Sequence, residues 1–315
     1  MRVLITGGSG FIGSHYAERL LARGDEVLSI DNFATGRRDN LREHENLLMV
    51  EGSIASFELM QSLFRYFKPE VVVHTAASYK DPDAWVNDVE VNVKGTAIAC
   101  QMAKEAGTKR FVYFQTALCY GVKPLENPIT LDHPILPEGS SYAISKTAAE
   151  QYIRLSGLDY VSFRLANAYG PRNLSGPLPT FYKRLIQRQE CFISDSRRDF
   201  IFIDDLVDCA LKAADGAGHG VYHISTGGDM AIIELYDATL KALRINDAKK
   251  PDIRARNPDD APSILLDPSR TEQEFGWKAR TGLAEGVAKA VEYYQKFGID
   301  QTYTHLSAQH DKKVA

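Results

Sequence analysis

Val3-Leu4-Ile5-Thr6-Gly7-Gly8-Ser9-Gly10-Phe11-Ile12-Gly13 opens the chain and decides how the rest of it is read. Arg2 to Thr6 is short, apolar and β-branched, the pattern of a parallel strand buried on both faces. The run breaks into glycines, and a helical pattern then continues to Arg23 with Ala17, Leu20 and Leu21 on one face. Gly24 closes that helix where a left-handed residue is usually needed. A second apolar strand, Glu26 to Ile30, ends in Asp31.

This arrangement suits a dinucleotide. Gly7 permits a tight turn, Gly10 lets the backbone approach a pyrophosphate, and Gly13 lets helix and strand pack closely. The helix N-terminus offers unpaired N–H groups and a positive dipole end to the phosphates. Asp31 stands where a carboxylate can take the adenosine ribose hydroxyls. The spacing is G-x-x-G-x-x-G rather than G-x-G-x-x-G. Its meaning comes from the strand before it, the helix after it and the acid ending the next strand.

At 315 residues the chain is long enough for one large α/β domain with an appended lobe. A net charge of −4 leaves no basic surplus, which argues against nucleic acid or an anionic membrane surface as a partner. No apolar run reaches the length of a membrane span, and Met1 leads straight into the first strand. The expectation is a cytoplasmic protein. Cys100, Cys119, Cys191 and Cys209 lack C-x-x-C spacing and read as reduced core residues, with no metal site.

Further strands are expected at 47–50, 71–74, 110–114 and 160–163, with helices at 57–67, 87–107 and 142–155 between them. Such alternation means a parallel sheet with helices on both faces and right-handed crossovers. After about Asn167 the rhythm changes: Pro171, Pro177 and Pro179 interrupt a loop, and a short helix is expected over 181–189. A strand at 200–203, helices at 205–214, 232–243 and 284–297 and a strand at 220–224 follow. The expected fold class is therefore α/β, a Rossmann-type doubly wound parallel sheet with a smaller, discontinuous C-terminal substrate lobe. The cofactor domain takes residues 1–166 plus about 204–226, the lobe takes 167–203 and 227–306, and 307–315 reads as a disordered tail.

Tyr142-Ala143-Ile144-Ser145-Lys146 is a second constellation. Tyr and Lys four apart share one helix face, and an ammonium there would favour a tyrosinate and ease proton transfer near neutral pH. Y-x-x-x-K is common on amphipathic helices, so context matters. Thr116 supplies it, ending a central strand at the carboxyl edge where open parallel sheets bind ligands.

With these motifs in order, the chain resembles the extended short-chain dehydrogenase/reductase family, in its nucleotide-sugar epimerase and dehydratase branch. The likeness runs from the glycine turn to Glu274-Phe275-Gly276-Trp277, and Asp31-Asn32-Phe33-Ala34-Thr35-Gly36 with Asn40-Leu41 resembles the 4-epimerases closely. The resemblance implies Tyr142 as general acid/base, Lys146 as its partner and a holder of the nicotinamide ribose, and Thr116 as the group that hydrogen-bonds the reacting sugar hydroxyl. It implies NAD contacts at Gly7, Gly10, Phe11, Ile12, Gly13, Asp31, Asn32, Ser53, Ile54, Ala76 and Ala77. Asn92 would brace the cofactor strand. Lys80 resembles a cofactor-contacting lysine but is displaced by one residue.

For the substrate, the resemblance implies that Asn167 contacts the diphosphate of a UDP-sugar, that Arg198 and Arg256 clamp it, and that Asp259 takes the nucleoside ribose. Guanidinium suits this work because it is permanently charged and binds phosphate oxygens bidentately. Ser53 replaces the family's usual Asp, and Pro258 its usual Gly. Ser263, seven beyond Arg256, matches a sugar-pocket position where a bulky tyrosine would exclude an N-acetyl group, so 2-acetamido sugars or their uronates are expected, as used in surface polysaccharides such as O-antigen.

Dehydratases of the branch carry Asp-Glu directly after the threonine; here Ala117 and Leu118 can neither give nor take a proton. What remains is redox at one sugar carbon: 4-epimerisation through a 4-keto intermediate, or 4-keto-sugar reduction with an exchangeable cofactor. A binding module that has lost catalysis would have no need of Thr116, Tyr142 and Lys146, nor a structural partner of Arg198 and Arg256. Asp31 favours NAD over NADP by charge repulsion of a 2′-phosphate, with Arg37 and Arg38 nearby pulling the other way. The helices at 87–106 and 142–155 resemble those that pair in the family's homodimers.

Overall fold

The computed structural model describes residues 1–256, 260–299 and 301–303. Seven strands form the main sheet: β1 (Arg2–Thr6), β2 (Glu26–Asp31), β3 (Leu47–Glu51), β4 (Val71–His74), β5 (Arg110–Thr116), β6 (Tyr160–Leu165) and β7 (Gly220–Ile224). Their order is β7-β6-β5-β4-β1-β2-β3, and every pairing is parallel. The chain steps outward from β1 through β2 to β3, then returns to the other side of β1 with β4. That reversal makes a crevice at the carboxyl ends of β1 and β4, where such sheets bind ligands.

Helices α1 (Phe11–Ala22), α2 (Phe57–Phe67), α3 (Thr96–Ala106), α4 (Ser141–Ser156) and α5 (Ile203–Ala214) cover the sheet. Alternate residues of each strand feed opposite cores. Val3, Ile5, Val112 and Phe114 pack with Ala17 and Leu20 of α1 and Leu206 of α5. Leu4, Leu28, Phe111 and Tyr113 pack with Met60 of α2, Met102 of α3 and Ile153 of α4. Each aliphatic side chain so buried contributes about 1.5–3 kcal/mol relative to exposure, so the sheet is held from both faces and its carboxyl edge is a rigid platform.

The rest of the chain builds small sheets beyond that edge. Asn167–Tyr169 pairs with Phe200–Phe202, Phe192–Ser194 with Asp252–Arg254, and Arg197–Arg198 lies between Met230–Ala231 and Ser263–Ile264. These strands are two or three residues long, too short to carry a readable period, and apart from Phe200–Phe202, expected at 200–203, they were not foreseen; neither was the helix Ser269–Phe275. The helix expected at 181–189 runs instead from Pro177 to Ile186. Pro177 stands in its first turn, where the ring's fixed φ fits and no N–H is required, so this proline starts a helix where a loop was expected. The segment expected as one helix from 87 is Trp85–Asp88, a π-helical turn Val89–Gly95, then α3. The tail expected at 307–315 lies outside the described residues.

Candidate active site

The turn after β1 is shaped by contacts that only glycine allows. Gly7 has φ 69°, donates its N–H to Ile30 O at 2.7 Å and accepts the Gly10 N–H at 3.0 Å. A Cβ at Gly13 would stand 2.3 Å from Gly7 O. Helix α1 starts at Phe11 with no side-chain cap and no acid in its first turn, leaving backbone donors for an anion.

Asp31 is locked onto this turn. Its Oδ2 accepts the Ser9 N–H at 3.0 Å and its Oδ1 the Phe33 N–H at 2.8 Å. Burial pushes its carboxyl up from the usual range, and the backbone donors pull against that. Asn32 accepts the Ala34 N–H through Oδ1 at 3.1 Å, and Ser53 Oγ accepts the Ala55 N–H at 3.2 Å. Ser53 therefore keeps a hydroxyl proton and a second lone pair for another partner.

Thr116 ends β5, and its Oγ accepts the Leu118 N–H at 3.2 Å. Tyr142 enters with the first turn of α4, which Ser140 caps by accepting the Ala143 N–H at 3.4 Å. One turn later Lys146 is 2% exposed, with its Nζ 4.1 Å from the Tyr113 ring centroid. Burial lowers the Lys146 ammonium to about 7, opposed by the nearby Glu150 carboxylate. The Tyr142 phenol is raised well above its ordinary value, first by burial and then by Tyr79 and Asp88. This reverses the expectation of a phenol lowered by Lys146. In a buried site desolvation acts against both charged forms, and the lysine ammonium faces the Tyr113 ring.

One cleft is lined by Gly7, Gly10, Phe11, Ile12, Gly13, Asp31, Asn32, Ser53, Ile54, Ala76, Ala77, Thr116, Tyr142, Lys146 and Asn167. The glycine turn, the open end of α1 and the anchored Asp31 fit a dinucleotide, so these residues could hold NAD. Tyr79 lines the same cleft, bonded to Thr35 and close to Tyr142. It was not foreseen; the only signal was the one-residue displacement of the adjacent Lys80.

Five of the expected residues, Asn92, Lys80, Arg198, Arg256 and Ser263, stand elsewhere. Asn92 is buried behind the cleft, where its Oδ1 accepts the Ser78 N–H at 2.7 Å and its Nδ2 donates to Ser78 O at 3.0 Å and Ser145 Oγ at 2.9 Å. The π-helical turn around Asn92 aims it at both segments. Lys80 is exposed, with its ammonium 5.2 Å from the Tyr303 ring centroid, in an adjoining depression that shares Ser78 and Asn87 with the cleft. Arg198 is ion-paired with Asp260 and donates to Arg197 O at 2.7 Å, while Arg256 adds repulsion. Ser263 donates to Asp229 Oδ2 at 2.9 Å. Pairing of Ser263 with Arg197 and of Ile264 with Arg198 brings Ser263 and Ile264 alongside the two arginines. Asp259 and Pro258 lie outside the described residues.

Comparisons with known proteins bear on the fold and the family. The UDP-glucose 4-epimerase of Mycolicibacterium smegmatis is 34% identical over 94% of this chain and 99% of its own length. The Bordetella bronchiseptica enzyme WbmH, crystallised with NAD+, superposes with a TM-score of 0.92 at 56% identity, over 95% of this chain and 99% of WbmH. WbmG of the same organism, crystallised with NAD and UDP, gives 0.90 at 45% identity over 98% and 99%. The family model matches residues 3–225. The chain belongs to the NAD dependent epimerase/dehydratase family.

Proposed function

We propose that the protein is an NAD-dependent UDP-sugar 4-epimerase. The observation that carries this reading is the cleft that gathers the glycine turn, Asp31, Thr116, Tyr142 and Lys146, with non-ionisable Ala117 and Leu118 directly after the threonine. When bound, NAD supplies an acceptor and later donor of one hydride, and a cationic ring whose field favours the Tyr142 phenolate.

The chain's own groups do the rest. Thr116 holds the C4 hydroxyl and Tyr142 takes its proton as the 4-keto sugar forms. Lys146 sits one helical turn behind Tyr142 and fixes the nicotinamide ribose. Arg198 and Arg256, with Asn167 at the cleft mouth and Asp259, grip the UDP moiety while the keto sugar turns over. Tyr142 then returns the proton to the C4 oxygen as C4 is reduced from its opposite face. Elimination finds no acid or base beside Thr116, which argues against a dehydratase.

Ser263, by its match to the family's sugar-pocket position, is small enough to admit a 2-acetamido group, so the proposed substrates are N-acetylated UDP-sugars or their uronates, made for surface polysaccharide such as O-antigen. UDP as the nucleotide is supported by WbmG, crystallised with UDP, and by the Thermotoga maritima UDP-glucose 4-epimerase, crystallised with UDP-glucose and 29% identical to this chain. Residues 167–203 and 227–306 form the sugar-nucleotide lobe, and residues 1–166 with about 204–226 the cofactor domain. Val86 and Leu155, 80% and 79% exposed on neighbouring helices, with Trp85, Val89 and Ile144, give an apolar face for a homodimer. Among the described residues no helix is long and apolar enough to cross a membrane.

Purified protein incubated with a panel of UDP-sugars tests the reading. C4 epimers formed without added cofactor, with NAD released on denaturation, support it. An empty protein that reduces 4-keto sugars with added NADPH supports a reductase instead.

A further inference from the structure

Gln115 precedes Thr116 on β5 and is 2% exposed, pointing to the face that α4 covers. Its Oε1 accepts the Thr116 N–H at 2.7 Å and its Nε2 donates to the Lys146 carbonyl at 3.0 Å. The same carbonyl accepts the Tyr113 hydroxyl at 3.2 Å, and the Tyr113 ring lies under the Lys146 ammonium. One amide thus spans the strand end that carries Thr116 and the helical turn that carries Lys146. A primary amide is suited to this because one end accepts and the other donates. The Thr116 backbone it fixes in turn sets the Thr116 hydroxyl, which is committed on one side to the Leu118 N–H.

We propose that Gln115 is a positioning residue that holds Thr116 and the Lys146 turn of α4 in register across the cleft. The inference rests on the epimerase reading of that cleft. Bridging two elements matters for turnover because misplacing reacting groups by an ångström can cost roughly a hundredfold in rate.

Gln115→Leu and Gln115→Glu in the full chain test it. Gln115→Leu is expected to lower kcat roughly ten- to a hundredfold while KM for the UDP-sugar and NAD content change less than about twofold. In Gln115→Glu a neutral carboxylic acid reproduces both hydrogen bonds, whereas the ionised form turns the donor into a second acceptor facing the Lys146 carbonyl. Its kcat relative to the parent enzyme is therefore expected to approach parity at low pH and fall as pH rises. A merely structural role would lower melting temperature, NAD content and kcat together in Gln115→Leu and leave the Gln115→Glu ratio independent of pH. Either result, or an unchanged kcat in Gln115→Leu, overturns the proposal. If the parent protein turns over no UDP-sugar, the epimerase reading fails by itself, and amide hydrogen exchange decides the rest. Faster exchange at Thr116 and in the turn after Lys146 in Gln115→Leu, with the remaining amides unchanged, supports the bridge; unchanged exchange there overturns it.

Discussion

The Asn92 side-chain amide donates to Ser145 Oγ at 2.9 Å, tying the π-helical turn of residues 89–95 to the helix of Tyr142 and Lys146. The same side chain holds both backbone groups of Ser78, beside the cofactor cleft. Asn92→Leu strands these buried partners, each worth about 1–3 kcal/mol when left unsatisfied. The expected outcome is a melting temperature several degrees lower, with kcat falling more than KM, read by calorimetry and steady-state kinetics.

Asp31 makes a second prediction. Its carboxylate satisfies Ser9 and Phe33 N–H groups at the mouth of the dinucleotide cleft. Asp31→Ala removes the proposed ribose acceptor and orphans two backbone donors. NAD affinity is expected to fall at least about tenfold, a loss of about 1.4 kcal/mol or more, and discrimination against NADP should narrow. Isothermal titration of cofactor-stripped protein checks both.

Lys146 gives a pH dependence with a definite sign. Burial lowers its ammonium to about 7 in the folded chain, against an ordinary value of 10.5. Below about 7 the folded and unfolded states are both protonated, and the folded state carries the full cost of a buried charge. Between that value and 10.5 the unfolded chain holds more protons, so this contribution to stability improves as pH rises. Lys146→Met in cofactor-free protein is therefore expected to raise the melting temperature by a few degrees at pH ~6, with the gain shrinking toward pH ~10. A gain that grows with pH would contradict it.

The apolar face on the helices near residues 85–89 and 144–155 predicts association. Val86→Glu with Leu155→Glu places charges where a symmetric interface would bury them, at a cost of several kcal/mol per desolvated ion. Light scattering is expected to show a dimer for the parent chain and a monomer for the double variant.

Long elements were legible because their periods repeat often enough to be counted. β1, β2, β4 and α2 fall where the apolar pattern places them, and the glycine turn with Asp31 and Thr116 defines the cleft that the structure forms. Three kinds of feature were not legible. Strands such as Arg197–Arg198 exist only because Met230–Ala231 and Ser263–Ile264 flank them, a long-range fact with no local signature. The π-helical turn depends on Asn92 meeting Ser78 and Ser145, which lie far apart in sequence. The state of the Tyr142 and Lys146 protons depends on burial, which spacing along a helix does not reveal.

The central claim is that one hydride leaves C4 of a UDP-sugar and returns to the same carbon within the closed site. The most direct test is turnover of a UDP-sugar deuterated at C4, followed by NMR in ordinary water without added cofactor. A 4-epimerase of this kind yields the C4-inverted sugar with its deuterium retained. Inversion with loss of the label to solvent, or dependence on added NADPH with no epimer formed, would contradict it.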